Sequence, residues 1–190
     1  LGQGASICAV QNGKSVDTSM GFTPLGGIPM CARSGDLDPS VVTYIMDKEN
    51  IAPKDMETML NKESGVYGIS GVSVDFRDIE AASANGDKKA ELSLKHYKYI
   101  VAQFIAKYVV SMQGIDGIAF TAGVGENQCG IRKGICENLK FMGIEIDDER
   151  NKIKGEEIQI SSDNSKVPVW VIPTNEELVI ARDTVRLINK

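Results

Sequence analysis

Residues 6–20 read SICAVQNGKSVDTSM, and this stretch decides the fold class. Residues 6–10 and 15–20 read as extended runs, and Gln11-Asn12-Gly13-Lys14 lies between them. Asn-Gly tolerates positive φ at both positions, which a tight two-residue hairpin turn requires. The spacing predicts an antiparallel hairpin. An antiparallel start counts against an all-parallel sheet of the dinucleotide-binding kind.

Residues 21–36 carry Gly21, Gly26, Gly27 and Gly35 with Pro24 and Pro29, and read as a loop of special geometry. Asp38 caps a helix that Pro39 opens, because a missing N–H costs nothing at the first helical position. Val41, Val42, Ile45 and Met46 form its apolar face. Pro53 opens a second helix, with Met56, Met59 and Leu60 inward and Gly65 beyond its end. A short helix follows residues 75–78 and ends near Asn85-Gly86. The long helix is marked by Ala90, Leu94, Tyr97, Val101, Ile105, Tyr108 and Met112, stepping by one helical turn until Gly114 ends it. Residues 118–122 are a short apolar strand of the buried parallel type. A helix then runs to about Met142 with Ile131, Ile135, Leu139 and Phe141 inward. Residues 158–161 and 167–172 are strands, and a last helix runs from about Asn175 to Ile188. Strands in a meander followed by alternating strands and helices predict an α/β fold. Its mixed sheet starts with an antiparallel hairpin and carries helices on both faces.

The 190 residues suit one domain, and 42% hydrophobic with 25% charged residues is the balance of a globular chain. The net charge is −5. No basic stripe offers the footprint of a nucleic-acid binder. Cys8, Cys31, Cys129 and Cys136 are scattered, and His96 is the single histidine, so a structural zinc site is not expected. Such cysteines read as reduced thiols of a cytoplasmic protein. No apolar run reaches the roughly 18 residues of a membrane span, and no signal peptide is expected. Leu1 leads at once into a Gly2-Gln3-Gly4 turn, so the chain reads as a piece of something longer.

Several stretches carry candidate chemistry. Gly123-Val124-Gly125-Glu126-Asn127 sits where a strand meets a helix, and such a turn can present N–H groups to a phosphate. The spacing matches neither the P-loop, because Ile131-Arg132 stand where Lys-Ser/Thr belong, nor the dinucleotide fingerprint, because residue 128 is Gln. A phosphate cradle and a plain tight turn remain equal readings. Gly2-Gln3-Gly4 beside the hairpin is open to the same two readings. Arg33 stands in a glycine-flexible loop, where it grips an anion or is merely solvated. Asp75-Phe76-Arg77-Asp78 either holds a nucleoside or is a loop ion pair with Phe76 in the core. Thr174 and Glu177 have the spacing of a capping box, which leaves Glu176 free for a hard cation or for solvent.

In order, these stretches resemble the acetate kinase (acetokinase) family, within the superfamily of sugar kinases, Hsp70 and actin. LGQGAS at 1–6 is similar to the family's phosphate loop, HLGNGAS. DTSMGFTP at 17–24, RSGDLDP at 33–39, Asp75-Phe76-Arg77, GVGEN at 123–127 and PTNEELVIARDT at 173–184 complete the set. The resemblance spans essentially the whole chain. It implies an actin-like ATPase (ribonuclease H-like) domain and reversible transfer of the ATP γ-phosphoryl group to acetate, giving acetyl phosphate and ADP. It implies phosphate contacts from Gly2, Gln3 and Gly4, and nucleoside contacts from Asp75, Phe76 and Arg77. Gly123, Val124, Gly125, Glu126 and Asn127 would also bind nucleotide. Arg33 would stabilise the phosphoryl group in flight, Pro24 would line the acetate pocket, and Glu176 would place Mg²⁺ or Mn²⁺.

Gln3 departs from the family's Asn, and Gly26 from its common Glu. Family members are about twice as long. The resemblance therefore implies that residues 1–190 are a single C-terminal, nucleotide-binding domain, with the N-terminal lobe and its histidines elsewhere. It further implies a cytoplasmic homodimer whose isolated C-terminal part is inactive. Propionate kinase of the same family is the near alternative, and a dinucleotide-dependent oxidoreductase the remote one.

Overall fold

A computed structural model of the chain describes residues 1–189. The hairpin forms as expected: β1 (Cys8–Gln11) pairs antiparallel with β2 (Lys14–Thr18). Asn12 and Gly13 take φ of 52° and 74° in the turn between them. A bulge at Ala9/Val10 bends the ribbon. Residues 19–38 follow without regular structure.

Five helices come next: α1 (Pro39–Glu49), α2 (Pro53–Lys62), α3 (Gly65–Ser70), α4 (Phe76–Ala84) and α5 (Lys88–Met112). Asp38 caps α1 by accepting from Ser40 N. The expected apolar face of α1 is only partly covered: Val42, Ile45 and Met46 are half-buried, Val41 is exposed, and none of its residues is fully buried. Helix α3 forms despite the two glycines in its sequence GVYGIS; Gly65 lies beyond the end of α2, as expected, and opens α3. Helix α5 is the spine of the domain. Its buried stripe includes Ala90, Leu94, Tyr97, Val101, Ile105 and Tyr108. That stripe packs against α3, α4, α7 and the hairpin.

The second sheet holds β3 (Ile118–Phe120), β4 (Ile158–Gln159) and β5 (Val169–Val171) in the order β3-β5-β4. β3 runs parallel to β5 and β4 antiparallel to it. Ile118, Phe120, Val169 and Val171 point into the core, while Ala119 and Trp170 face outward. Between β3 and β4 lie α6 (Ala122–Asn127) and α7 (Cys129–Glu137). The expected single helix to Met142 is thus broken at Gln128 and ends at Glu137. A 3₁₀ turn over Lys140–Met142 then redirects the chain, so the helical period no longer applies and Phe141 is 79% exposed. Ile131, Ile135 and Leu139 are buried as expected.

The last helix, α8 (Glu176–Ile188), is capped by Asn175, whose side chain accepts from Leu178 N. The expected Thr174–Glu177 capping box does not form, because the Thr174 hydroxyl is drawn to Glu126 instead. No residue of α8 is buried. The four cysteines are free. No helix among the described residues is long and apolar enough to cross a membrane.

Candidate functional site

The first four residues lie across the start of α6. The Leu1 carbonyl accepts from Val124 N at 2.8 Å and Gly125 N at 2.9 Å. Two N–H groups that the first turn of a helix leaves unpaired are thereby satisfied. A Cβ built on Gly2 lies 3.9 Å from the Ala122 Cβ. The two glycine stretches, more than a hundred residues apart in sequence, are therefore in contact. Ala122 takes φ +62° at this junction, a left-handed conformation that costs a residue with a Cβ about 1–2 kcal/mol. Its N–H donates to Glu126 Oε1 at 2.8 Å, which holds it there.

The Arg33 loop borders the same segment on the other side. Cys31 N donates to the Gln3 carbonyl, and a Cβ built on Gly4 lies 3.5 Å from Arg33 Nη1. The loop is fixed rather than flexible. Met30 N donates to the Arg33 carbonyl, and Ser34, Ser64, Val66 and Tyr67 N–H groups tie the turn to the α2–α3 junction. Gly65 makes this possible. It takes φ +62°, and a Cβ there would fall 2.2 Å from the Met30 carbonyl and 2.5 Å from that of Arg33. The Arg33 guanidinium itself is loosely held, with Nη1 3.5 Å from the Pro24 carbonyl and 3.5 Å from Met30 Sδ. Pro24, Arg33 and Gly4 are thus brought together.

Asp75 caps α4 by accepting from Arg77 N at 2.9 Å, and it also pairs with the Arg77 guanidinium. That hydrogen-bonded pair depresses the Asp75 carboxyl to about 2. Phe76 is 3% exposed and packs edge-on against Tyr97 at 4.8 Å between ring centroids. Its ring belongs to the core, so any nucleoside contact from Phe76 is limited to its backbone. Asp75 is also close enough to Cys31 that its charge, after burial, helps push that thiol up to about 11.

Glu126 Oε1 receives Thr174 N at 3.0 Å and Thr174 Oγ1 at 3.1 Å besides Ala122 N. Glu126 is therefore a strut between α6 and the start of α8, and this oxygen is occupied. Glu176, two residues past Thr174, is exposed and makes no ion pair among those of the described residues. No cluster of three metal-capable side chains exists among the described residues. A single free carboxylate suits Mg²⁺, which keeps several waters and takes further ligands from substrate phosphates. Asn127 Nδ2 donates to the Gly123 carbonyl and braces the turn internally.

Sequence reasoning missed Arg132 and Asn151. Arg132 is fully buried and donates to the Gly125 and Glu126 carbonyls and to Asn151. Spacing gave no signal, since an arginine on a helix reads as solvated. A cavity of about 660 Å³ lies between the hairpin, α5 and β3, and reaches Leu1 and Thr121 at the edge of this segment. Its lining mixes apolar Val10, Val101, Ile105 and Ile118 with polar Gln11, Asn12 and Gln113 and the carboxylate of Asp116, and none of these offers an anion a cationic side chain.

The sequence profile of the acetokinase family matches residues 1–182. The chain belongs to the acetokinase family. It is 55% identical over 190 residues to the acetate kinase of Dictyoglomus turgidum, covering 100% of this chain and 47% of that protein. The acetate kinase of Porphyromonas gingivalis superposes with a TM-score of 0.94 at 44% identity, covering 99% of this chain and 47% of that one. A propionate kinase from Francisella tularensis gives 0.89 at 44% identity, covering 95% and 46%. The acetokinase neighbours carry the actin-like ATPase fold, and this chain shares it. The dinucleotide-dependent alternative falls with the mixed, partly antiparallel sheet and the family match. The chain spans about half the length of the curated relatives it matches.

Proposed function

We propose that this chain is the nucleotide-binding, C-terminal domain of an acetate kinase. It would bind ATP or ADP and, with the rest of the protein, transfer the γ-phosphoryl group reversibly to acetate. One observation carries the reading: the Leu1 carbonyl bonds Val124 and Gly125 N–H, laying Gly2, Gln3 and Gly4 against the 123–127 turn with Arg33 alongside. Phosphoryl transfer needs little covalent chemistry from a protein. Positioning and charge neutralisation supply most of the rate.

In this scheme Gly2, Gln3 and Gly4 take the phosphates, where the missing side chains of the glycines allow close approach. The backbone at 123–127 and at Asp75, Phe76 and Arg77 flanks the nucleoside. Arg33 offers its loosely held cationic fork to the transferring group, and the Pro24 edge beside it meets the carboxylic acid's alkyl end. Glu176 holds Mg²⁺ or Mn²⁺, which when bound neutralises phosphate charge. Exposed apolar faces on α1 and α8, including Tyr44, Val179, Ile180 and Ile188, supply area for the remaining half of the protein and for a second protomer. We place the assembled enzyme as a cytoplasmic homodimer.

Calorimetry with Mg-ADP and with NAD tests the reading. Mg-ADP binding to the chain supports it; tighter binding of NAD sinks it. The isolated chain is expected to phosphorylate acetate hardly at all, since half the cleft is elsewhere. A second reading, propionate kinase, draws on the propionate kinase neighbour, as identical to this chain as the acetate kinase neighbour above. One methylene is worth only about 1–3 kcal/mol of discrimination. The ratio of kcat/KM for acetate and propionate in the full-length enzyme separates the two.

A further inference from the structure

Arg132 on α7 has no exposed surface, yet among the described residues it pairs with no carboxylate. The ionisable groups that bear on it are the thiols of Cys129 and Cys136. All of its N–H groups are nonetheless used. Nε donates to Asn151 Oδ1 at 2.9 Å. Nη1 donates to the Gly125 and Glu126 carbonyls, each at 2.9 Å. Nη2 donates to the Asn151 carbonyl and, at 3.1 Å, to that of Ile153. Asn151 in turn donates through Nδ2 to the Cys129 carbonyl at 2.9 Å.

Helix α6 has six residues. A helix so short is not stable by itself, and the carbonyls of its last turn have no intrahelical partners. Two of those carbonyls end on one guanidinium. The other end of α6 is held by the Leu1 carbonyl and by the Glu126 strut. Arg132 therefore fixes the carbonyl end of the turn from outside α6, where Asn127 braces it only from within. Through α6 it also fixes the seating of residues 1–4. Its flat fork meets carbonyls on both sides at once, and the terminal ammonium of a lysine cannot span them.

We propose that Arg132, braced by Asn151, is a positioning residue for nucleotide binding in the kinase reaction. The proposal rests on the functional reading above. It touches no substrate; it sets the backbone that does. A merely structural role would lower the amount of folded enzyme and so kcat, leaving each KM unchanged. A positioning role moves the KM for the one substrate whose backbone contacts shift.

The experiment is steady-state kinetics and Mg-ADP calorimetry on the full-length enzyme carrying Arg132→Lys. The KM for ATP and the Kd for ADP are expected to rise about tenfold or more, with the KM for acetate within about twofold. Nucleotide constants within about twofold of the parent, alongside a lowered Tm, would overturn the proposal. Where Arg132→Lys does not fold, Asn151→Ser removes the Nε acceptor and keeps the backbone carbonyls. It is expected to raise the KM for ATP about threefold, and an unchanged value overturns the proposal equally. The unsubstituted enzyme in the same assay reports on the kinase reading itself. Absence of ATP-dependent turnover there would fail that reading, whereas normal turnover with unmoved variants fails this one.

Discussion

Glu126 Oε1 lies 3.0 Å from the backbone nitrogen of Thr174 and 3.1 Å from its hydroxyl oxygen. The pair joins the turn after β3 to the segment after β5, the two parallel strands of the second sheet. Ligand sites in α/β folds lie beyond the carboxyl ends of such strands. A carboxylate that binds both loops there fixes the distance between the 123–127 turn and Glu176.

Replacement of Glu126 tests the strut against direct ligand contact. Glu126→Gln keeps a carbonyl oxygen for Ala122 N and Thr174 N, so nucleotide binding is expected to stay within a few-fold of the parent. Glu126→Ala strips three donors of their acceptor and is expected to cost about 1–3 kcal/mol in denaturant unfolding. Loss of ADP binding in Glu126→Gln with stability intact would show that the carboxylate meets the nucleotide itself.

Gly65→Ala should damage the Arg33 loop. The new Cβ would sit in the Met30 and Arg33 carbonyls at a positive φ, and the cost is expected to be about 2–5 kcal/mol. Gly71 has a similar φ of +68° and open space around it. Gly71→Ala is therefore expected to cost only about 1–2 kcal/mol. Urea melts of the two variants side by side measure the difference; equal effects would mean that the tight approach at Gly65 relaxes freely.

Acid titration follows from Asp75. Its folded carboxyl is held near 2 by Arg77, below the unfolded value of about 3.9. The sign is that of a depressed acid. The stabilisation is fully present above the unfolded value and disappears as the pH falls through the folded one. Tm measured from pH 6 to pH 2 should fall less for Asp75→Asn than for the parent over the lower part of that range. Parallel curves would remove Asp75 from the acid response.

The thiols give the opposite sign. Burial pushes Cys31 up to about 11 and Cys136 up to about 12. The folded state therefore keeps both neutral while the unfolded state ionises them near about 8.5. Their contribution is present below that pH and is lost as the pH rises toward the folded values. At pH 8 an alkylating reagent should label exposed Cys8 in the native chain, with Cys31 and Cys136 reacting only in urea. Rapid native labelling of Cys31 would place it nearer solvent than its burial indicates.

Most elements were legible because each had a local cause. Asn12-Gly13 dictates the hairpin turn, Asp38-Pro39 starts α1, and the stripe from Ala90 to Tyr108 builds α5. What could not be read depended on distant partners. Phe141 continues the apolar period of α7, but the chain leaves the helix before reaching it. Thr174 has the spacing of a capping box, yet a carboxylate from another loop outcompetes the local bond. The candidate residues were legible as separate stretches through resemblance, whereas the meeting of the 123–127 turn and the Arg33 loop on residues 1–4 rests on backbone bonds such as Leu1 to Val124. Arg132 gave no sign, since burial of a cation is a property of the tertiary structure alone.

Arg33 carries the sharpest expectation for catalysis. Its backbone is locked by Gly65 and by bonds to the α2–α3 junction, whereas its guanidinium makes only long contacts at 3.5 Å with Pro24 and Met30. A rigid base with an uncommitted fork is suited to a ligand whose charge appears during the reaction. The oxygens of a transferring phosphoryl group need that partner most in the transition state, so removing it should lower kcat more than it raises the KM for ATP. By analogy with arginine fingers the loss in kcat is expected to be about 10³-fold. Arg33→Lys should recover little, because a point charge cannot reproduce the planar fork. Both variants should melt close to the parent, since the side chain contributes no strong bond to the fold. Steady-state kinetics of Arg33→Ala and Arg33→Lys in the full-length enzyme, with melting curves, decide the matter. A kcat for Arg33→Ala within a few-fold of the parent would reduce Arg33 to a loop residue and leave the phosphoryl group to be stabilised from elsewhere.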